Sequence, residues 1–234
     1  METEYLEFDI KGVIFKFVKI PGGVFFIGNN IFASDRKWRI KVRLDSFFML
    51  ETTITQKQFE CIMGVNPSLI KGLDFPVINV NYHEAKLFCG KLNQIIKNYN
   101  AELPSEYQWE YAAKAGDNLL FSGSNRLSEV GWYSNNSFNT LHKVAQLKAN
   151  GFGLYDMSGN VMEWTNGAYS TRYSFLPWPF KSLIVNPISL SISKNISVRG
   201  GCFLDTGGLC RVSSRSRMAQ NARPIYVGFR IILV

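Results

Sequence analysis

Apolar positions along this chain recur with two periods, and turn or capping residues bound most of the segments that carry them. Val13 to Lys19 holds a short apolar run in Ile14, Phe15, Phe17 and Val18, and Val24 to Gly28 holds another. Pro21-Gly-Gly23 lies between them, so the opening predicts two strands in a hairpin-like arrangement. Lys41 to Leu50 predicts a third strand that buries Val42, Leu44, Phe47 and Met49. Helical spacing follows three capping boxes, each a hydroxyl or amide N-cap with Gln or Glu three residues on: Thr55 with Gln58, Asn81 with Glu84, and Ser105 with Gln108. The first leads into Phe59, Ile62 and Met63 and ends at Gly64. The second leads into one apolar face of Ala85, Phe88, Cys89, Leu92, Ile95 and Ile96. The third leads through Trp109, Ala112 and Ala113 towards Gly116.

Regularity fades after Gly116. From there to Asn195 the chain is rich in Ser, Asn, Gly and aromatic residues, and a stretch so irregular inside a compact domain points to function or to ion stabilisation. Ile196 to Phe203 and Val227 to Val234 read as strands again. Within the irregular part, Asn150 to Trp164 interleaves Gly151, Gly153 and Gly159 with Phe152, Leu154, Tyr155, Met157, Val161, Met162 and Trp164. Each glycine costs a helix about 1 kcal/mol relative to alanine, and the apolar residues are too many for a solvated loop. The segment therefore reads as irregular and buried. Its carboxylates, Asp156 and Glu163, are either satisfied internally or grip a cation.

Composition narrows the classes. The 234 residues are 46% hydrophobic and 19% charged, which predicts one folded domain spanning residues 1–234. The formal net charge of +8 favours acidic partners. The basic residues are scattered without a run, so the charge reads as a generally basic surface and argues against a nucleic-acid site. No apolar stretch is long enough for a membrane span. Four cysteines without a recognisable export signal predict reduced thiols and a cytoplasmic setting. A processed form of an exported protein would instead be surface-exposed.

Six segments stand in one order: Phe17 to Gly28, Phe75 to Val80, Leu103 to Ala113, Gly153 to Trp164, Val198-Arg-Gly-Gly201 and Gly228-Phe-Arg230. Together they resemble the formylglycine-generating enzyme (sulfatase-modifying factor) superfamily, from about Phe17 to Ile231. The resemblance implies an α+β fold, a variant of the C-type lectin fold with much irregular structure, whose N- and C-terminal strands lie close together. It also implies a calcium site whose ligands would be the side chains of Asp156 and Glu163 and the carbonyls of Gly159 and Val161. Hard oxygen donors on one tight turn suit Ca²⁺. The alternative is that Asp156 caps the turn and Glu163 pairs with a buried arginine.

The superfamily's copper-dependent oxidases convert a sulfatase cysteine to formylglycine with two cysteines placed five apart after Arg-Gly-Gly. Here Cys210 matches the second, but Asp205 stands where the first should be, and Cys202 is eight residues from Cys210. A hard carboxylate cannot replace a thiolate for Cu(I), so the resemblance does not extend to an intact copper site. The related iron-dependent branch needs three histidines, and the chain has two, His83 and His142. The C-terminal pattern is instead similar to the non-catalytic members, among them the variable proteins of diversity-generating retroelements. That likeness implies no catalytic residues and an exposed surface that binds a protein or peptide ligand. The surface would comprise Phe203, Leu204, Asp205, Thr206, Leu209, Ser216, Arg217, Met218, Gln220, Asn221, Ala222, Pro224, Ile225 and Tyr226. An oxidase acting on a sulfatase cysteine through Cys210 and Cys202 is the competing expectation. Arg199, Arg211, Arg215 and Arg230 are expected to tie irregular backbone, and Trp109, Tyr111, Trp132 and Trp164 to be core rather than a sugar platform.

Overall fold

The computed structural model describes residues 4–28, 40–169, 183–187 and 194–234. Its largest sheet is antiparallel, in the order β1 (Tyr5–Ile10), β2 (Val13–Ile20), β5 (Phe47–Leu50), β12 (Ile232–Leu233) and β6 (Ala101–Glu102). The C-terminal strand therefore lies two positions from β2, as the resemblance implies. In β2 the alternation shows what each face does. Val13, Phe15 and Phe17 point to a core beneath α1 (Gln56–Met63) and α2 (Tyr82–Ile95), against Phe59, Phe88, Leu92, Trp164 and Phe229. The opposite face starts exposed at Ile14 and becomes buried at Val18 and Ile20, where α3 (Glu106–Lys114) covers it with Trp109, Tyr111 and Ala112.

All three capping boxes form as read, with Thr55, Asn81 and Ser105 each accepting from the backbone three residues on. The strand boundaries required correction. The apolar run from Lys41 to Leu50 is two strands in different sheets: β4 (Ile40–Leu44) joins β3 (Gly23–Ile27) and β8 (Ile184–Val185), while β5 belongs to the large sheet. The predicted hairpin between β2 and β3 is absent, because Pro21-Gly22 carries the chain from one sheet to the other. Val227 to Val234 splits in the same way into β11 (Val227–Phe229) and β12. Apolar periodicity marks an extended segment but does not say which neighbour supplies its hydrogen bonds.

A third sheet, in the order β10 (Ser216–Ala219), β9 (Asn195–Arg199), β7 (Met162–Ala168) and β11, passes through the stretch read as irregular. Asn150 to Val161 is irregular and mostly buried, but Met162-Glu-Trp164 is strand. It is paired in parallel with Val227-Gly-Phe229 and antiparallel with β9. A Cβ at Gly159, whose φ is +90°, would sit 2.3 Å from the carbonyl oxygen of Trp132, which explains a glycine there.

Buried ion pairs join this sheet to α3 and to the C-terminus. Arg230 Nε donates to Glu163 Oε2 and Arg230 Nη2 to Glu163 Oε1, both at 2.8 Å, and Trp109 Nε1 donates to the same Oε2 at 2.7 Å. Arg199 pairs with Glu110, whose other oxygen accepts from the Gly28 amide at 2.7 Å and from Lys114 at 2.9 Å. Burial pushes the Glu110 carboxyl up, but Arg199 and Lys114 outweigh it and hold the carboxyl below the usual range. Arg215 holds Glu106 with two bonds of 2.7 and 2.8 Å. Arg199 and Arg230 thus tie carbonyls and carboxylates as expected of them. Glu110→Ala would leave a buried guanidinium unpaired and is expected to cost about 3–5 kcal/mol in urea unfolding. The double variant Glu110→Leu/Arg199→Met is expected to recover most of that loss. A cost for Glu110→Ala below about 1 kcal/mol would show the pair to be dispensable.

Candidate functional site

Most of the predicted recognition residues lie on two segments that leave and re-enter the third sheet, while Ser216, Arg217 and Met218 lie in β10 itself. Residues 200–215 connect β9 to β10, and residues 220–226 connect β10 to β11. Gly200 and Gly201, at φ +97° and +69°, turn the chain out of β9, and a Cβ on Gly201 would approach Cys210 Sγ to 2.7 Å. Inside the first connection, Asp205 Oδ2 accepts from the Cys202 amide at 2.9 Å and Leu209 N donates to Thr206 O at 3.0 Å. Outside contacts hold it too: Phe203 N donates to Asn160 O at 2.9 Å, Ser134 N to Asp205 O at 3.0 Å, and Val212 N to Leu120 O at 3.1 Å. The second connection is pinned by Tyr82 N on Gln220 O, Asn79 N on Pro224 O and Met162 N on Tyr226 O, at 3.0–3.2 Å. Arg223 adds an ion pair to Glu84 at 2.7 Å. The backbone of both connections is therefore fixed by the scaffold, which leaves the outward side chains as the variable chemistry.

Leu204, Thr206, Leu209, Arg217, Asn221 and Ile225 are exposed, and Asp205, Ser216, Met218, Gln220, Ala222, Pro224 and Tyr226 are partly so. Phe203 departs from the expectation. It is buried in a small cluster with Ile78, Leu141 and Val161, against which Tyr226 packs, and it joins the two connections from beneath. The resemblance placed it among surface positions, but its ring packs inward against Ile78, Leu141 and Val161. Arg217 lies over the ring of Tyr169 at 5.8 Å.

The residues of the competing oxidase reading, Cys202 and Cys210, sit where burial disfavours the thiolate. Cys202 and Cys210 are both buried, and burial together with the nearby Asp205 carboxylate pushes each thiol up to about 12. Thiolate chemistry needs a neighbouring positive charge, and here the neighbour is negative. Cys61 and Cys89 pack as small hydrophobes, Cys61 with its Sγ 3.3 Å from Ile10 O. His83 is exposed on α2. His142 is stacked on Trp132 with ring centroids 3.9 Å apart. Trp109 and Trp164 are fully buried and Tyr111 nearly so, whereas Trp132 is only half-buried.

At the expected calcium turn, Asp156 is a non-glycine residue at φ +57°, buried, with Oδ2 accepting from the Ala145 amide at 2.8 Å. Burial pushes its carboxyl up to about 6, the Ala145 amide and Arg230 pull against that, and Glu163 adds to it. Glu163 is already paired with Arg230, and Asp156 has no ion pair among the described residues, so an ionised Asp156 is a buried charge without its own counter-ion. A hard dication fits that charge. Among the described residues no three His, Cys, Asp or Glu side chains are grouped to hold a metal, so Asp156 and Glu163 would need the carbonyls of Gly159 and Val161 to complete a cradle.

Sequence reasoning did not anticipate a contribution from residues 133–142. Ser137 Oγ donates to Phe203 O at 2.7 Å, and Leu141 sits in the cluster with Phe203, so this loop borders the C-terminal connections. Its one signal was a lone aromatic, Phe138, in the polar run Ser134-Asn-Asn-Ser-Phe-Asn-Thr140.

Comparison with known proteins places this arrangement in a family. The chain is 31% identical to the chaperone protein LppX of Paenibacillus barcinonensis over 63% of this chain and 69% of that one. It is 25% identical to the formylglycine-generating enzyme of Mus musculus over 71% of this chain, and it spans under half (46%) of that enzyme's length. Among solved structures, Treponema denticola variable protein 1 superposes with a TM-score of 0.87 at 24% identity, covering 97% of this chain and 98% of that one. PvdO from Pseudomonas aeruginosa superposes with a TM-score of 0.77 at 20% identity, covering 93% and 94%. Residues 9–233 match the sulfatase-modifying factor enzyme 1-like domain, and with nearly its whole length matched this chain belongs to that family and has its α+β, C-type-lectin-like fold.

Proposed function

We propose that this protein is a non-catalytic ligand-binding member of its family, and that the exposed side chains between Leu204 and Tyr226 recognise a protein or peptide. The observation that carries the reading is the environment of Cys202 and Cys210. A carboxylate occupies the position of the first oxidase cysteine, and burial beside it favours the protonated thiol at Cys202 and Cys210, which works against a thiolate pair for Cu(I). A fixed backbone with mixed aliphatic, amide and basic side chains suits adaptable recognition. The structural likeness to a variable protein and the relative named as a chaperone support binding over chemistry. A formylglycine-type oxidase is the competing reading, which the named relatives keep in view.

We further propose that Asp156, Glu163 and the Gly159 and Val161 carbonyls hold Ca²⁺, which would neutralise the surplus charge beneath the recognition loops and act on stability rather than on chemistry.

Incubated with Cu(I), oxygen and a cysteine peptide from a sulfatase, the protein is expected to leave the peptide mass unchanged. Conversion that is lost in Cys210→Ala would sink the binding reading. If the surface is diversified, sequencing the locus across related isolates should find substitutions gathered at Leu204 to Tyr226, with Phe203 spared because it is buried. Substitutions spread evenly over surface loops would count against diversification. For the ion, chelation should lower the melting temperature of the wild type and leave Asp156→Asn unmoved; an unchanged wild type would remove calcium from the account. In chelator, the raised Asp156 carboxyl takes up its proton in the folded state before the unfolded chain does. Wild-type stability relative to Asp156→Asn is therefore expected to rise as the solution is acidified from about pH 7 to about pH 4. A flat difference between the two would show that Asp156 carries no unfavourable buried charge.

A further inference from the structure

Phe138 is 88% exposed, far more than any other large apolar residue in the described chain. It also sits at φ +55°, followed by Asn139 at +56°, a backbone region that a residue with an aromatic side chain rarely adopts. Its loop is nevertheless well anchored. Ser137 Oγ donates to Phe203 O and accepts from the Asn139 amide at 3.1 Å, Ser137 itself is buried, and Leu141 packs beside Phe203. The exposed ring is therefore held out by structure on both sides. Leu204, 43% exposed, follows the residue whose carbonyl holds Ser137, and Ile225, 41% exposed, precedes Tyr226, which packs on the same cluster. Three separate segments thus present apolar side chains around one buried root.

The surrounding charge is one-sided. Residues 130–155 and 203–226 hold more basic than acidic side chains. Arg215 is paired with Glu106, Arg223 with Glu84 and Lys143 with Asp74, so the excess comes from the exposed Lys148 and Arg217, which have no carboxylate partner among the described residues. A second copy of a chain carrying +8 would meet like charge on this face, so self-association is disfavoured. Asn135, Asn139 and Asn221 are exposed beside the apolar residues. Such amides lose their hydrogen bonds in lipid but can keep them against a peptide backbone, which favours a peptide over an anionic membrane.

We propose that Phe138, from outside the C-terminal segment, is a fixed anchor of the recognition surface, and that the partner is an acidic protein or peptide with an apolar pocket for an aromatic ring. This rests on the reading of residues 204–226 as a binding face and adds an anchor and a partner chemistry to it. The test is to pan a random displayed-peptide library against the wild type and to measure the enriched peptides as synthetic probes. Probes are expected to be rich in Asp and Glu around apolar residues. Phe138→Ser should weaken them by about tenfold or more, as should Leu204→Ser/Ile225→Ser, and added salt should weaken them further. Both variants are exposed-site changes whose unchanged melting temperatures would confirm folding. Probes that respond to Leu204→Ser/Ile225→Ser but are indifferent to Phe138→Ser, or that lack acidic residues, would overturn this inference and leave the binding face standing. Probes indifferent to both variants, or none enriched, would remove the face as well. Binding to vesicles of neutral and anionic lipid that is lost in Phe138→Ser would assign the ring to a membrane instead.

Discussion

The pairing of Glu163 with Arg230, completed by the indole of Trp109, is the contact on which the rest of this fold depends. A guanidinium and a carboxylate with no exposure to water are stable only when each finds the other and the remaining donors find carbonyls. Arg230 meets that condition by reaching Tyr155 O at 2.8 Å and Leu50 O at 3.3 Å. One side chain therefore fixes β7, the glycine-rich turn before it, the large sheet and the C-terminal strands in relation to each other. Arg199 and Glu110 do the same for β9, α3 and the backbone at Gly28. With so little regular structure between Gly116 and β7, these pairs supply directional constraints that helix and sheet ladders supply elsewhere.

That arrangement separates the buried charges from the exposed side chains of the C-terminal connections. Charged residues of the family's segments are paired beneath the surface, Glu110 with Arg199 and Glu163 with Arg230, and Glu106 is held by Arg215. What they support is a pair of connections whose backbones are pinned to β7, Asn79, Tyr82 and Ser134, while side chains such as Leu204 and Asn221 face outward. The same logic explains why Phe203 is the exception: its ring closes the cluster that holds the two connections together.

Cys202, Asp205 and Cys210 show how one carboxylate sets the chemistry of its neighbours. With a second thiol and a cationic neighbour, such a pocket would favour thiolates and a soft metal. With a carboxylate hydrogen-bonded to the Cys202 amide, it favours protonated, buried thiols and a rigid turn. Asp205 thereby contributes to holding the loop.

The helices were legible because capping is local: Thr55, Asn81 and Ser105 satisfy amides three residues away, whatever the rest of the chain does. The six ordered segments likewise carried the fold, since their charged and glycine residues mark the places where buried pairs and close backbone approaches occur. Strand partnership was not legible. Lys41 to Leu50 and Val227 to Val234 each read as one apolar run, yet each is divided between two sheets, and Met162 to Trp164 was hidden at the end of a glycine-rich segment. Alternation records burial, while hydrogen-bond partners come from distant sequence. By itself the sequence determined the helix starts, the family segments and the loss of the oxidase cysteine pair. Only the tertiary structure decided that Phe203 turns inward, that Glu163 is taken up by Arg230, and that Phe138 is held out beside the C-terminal face, because each depends on contacts between segments more than sixty residues apart.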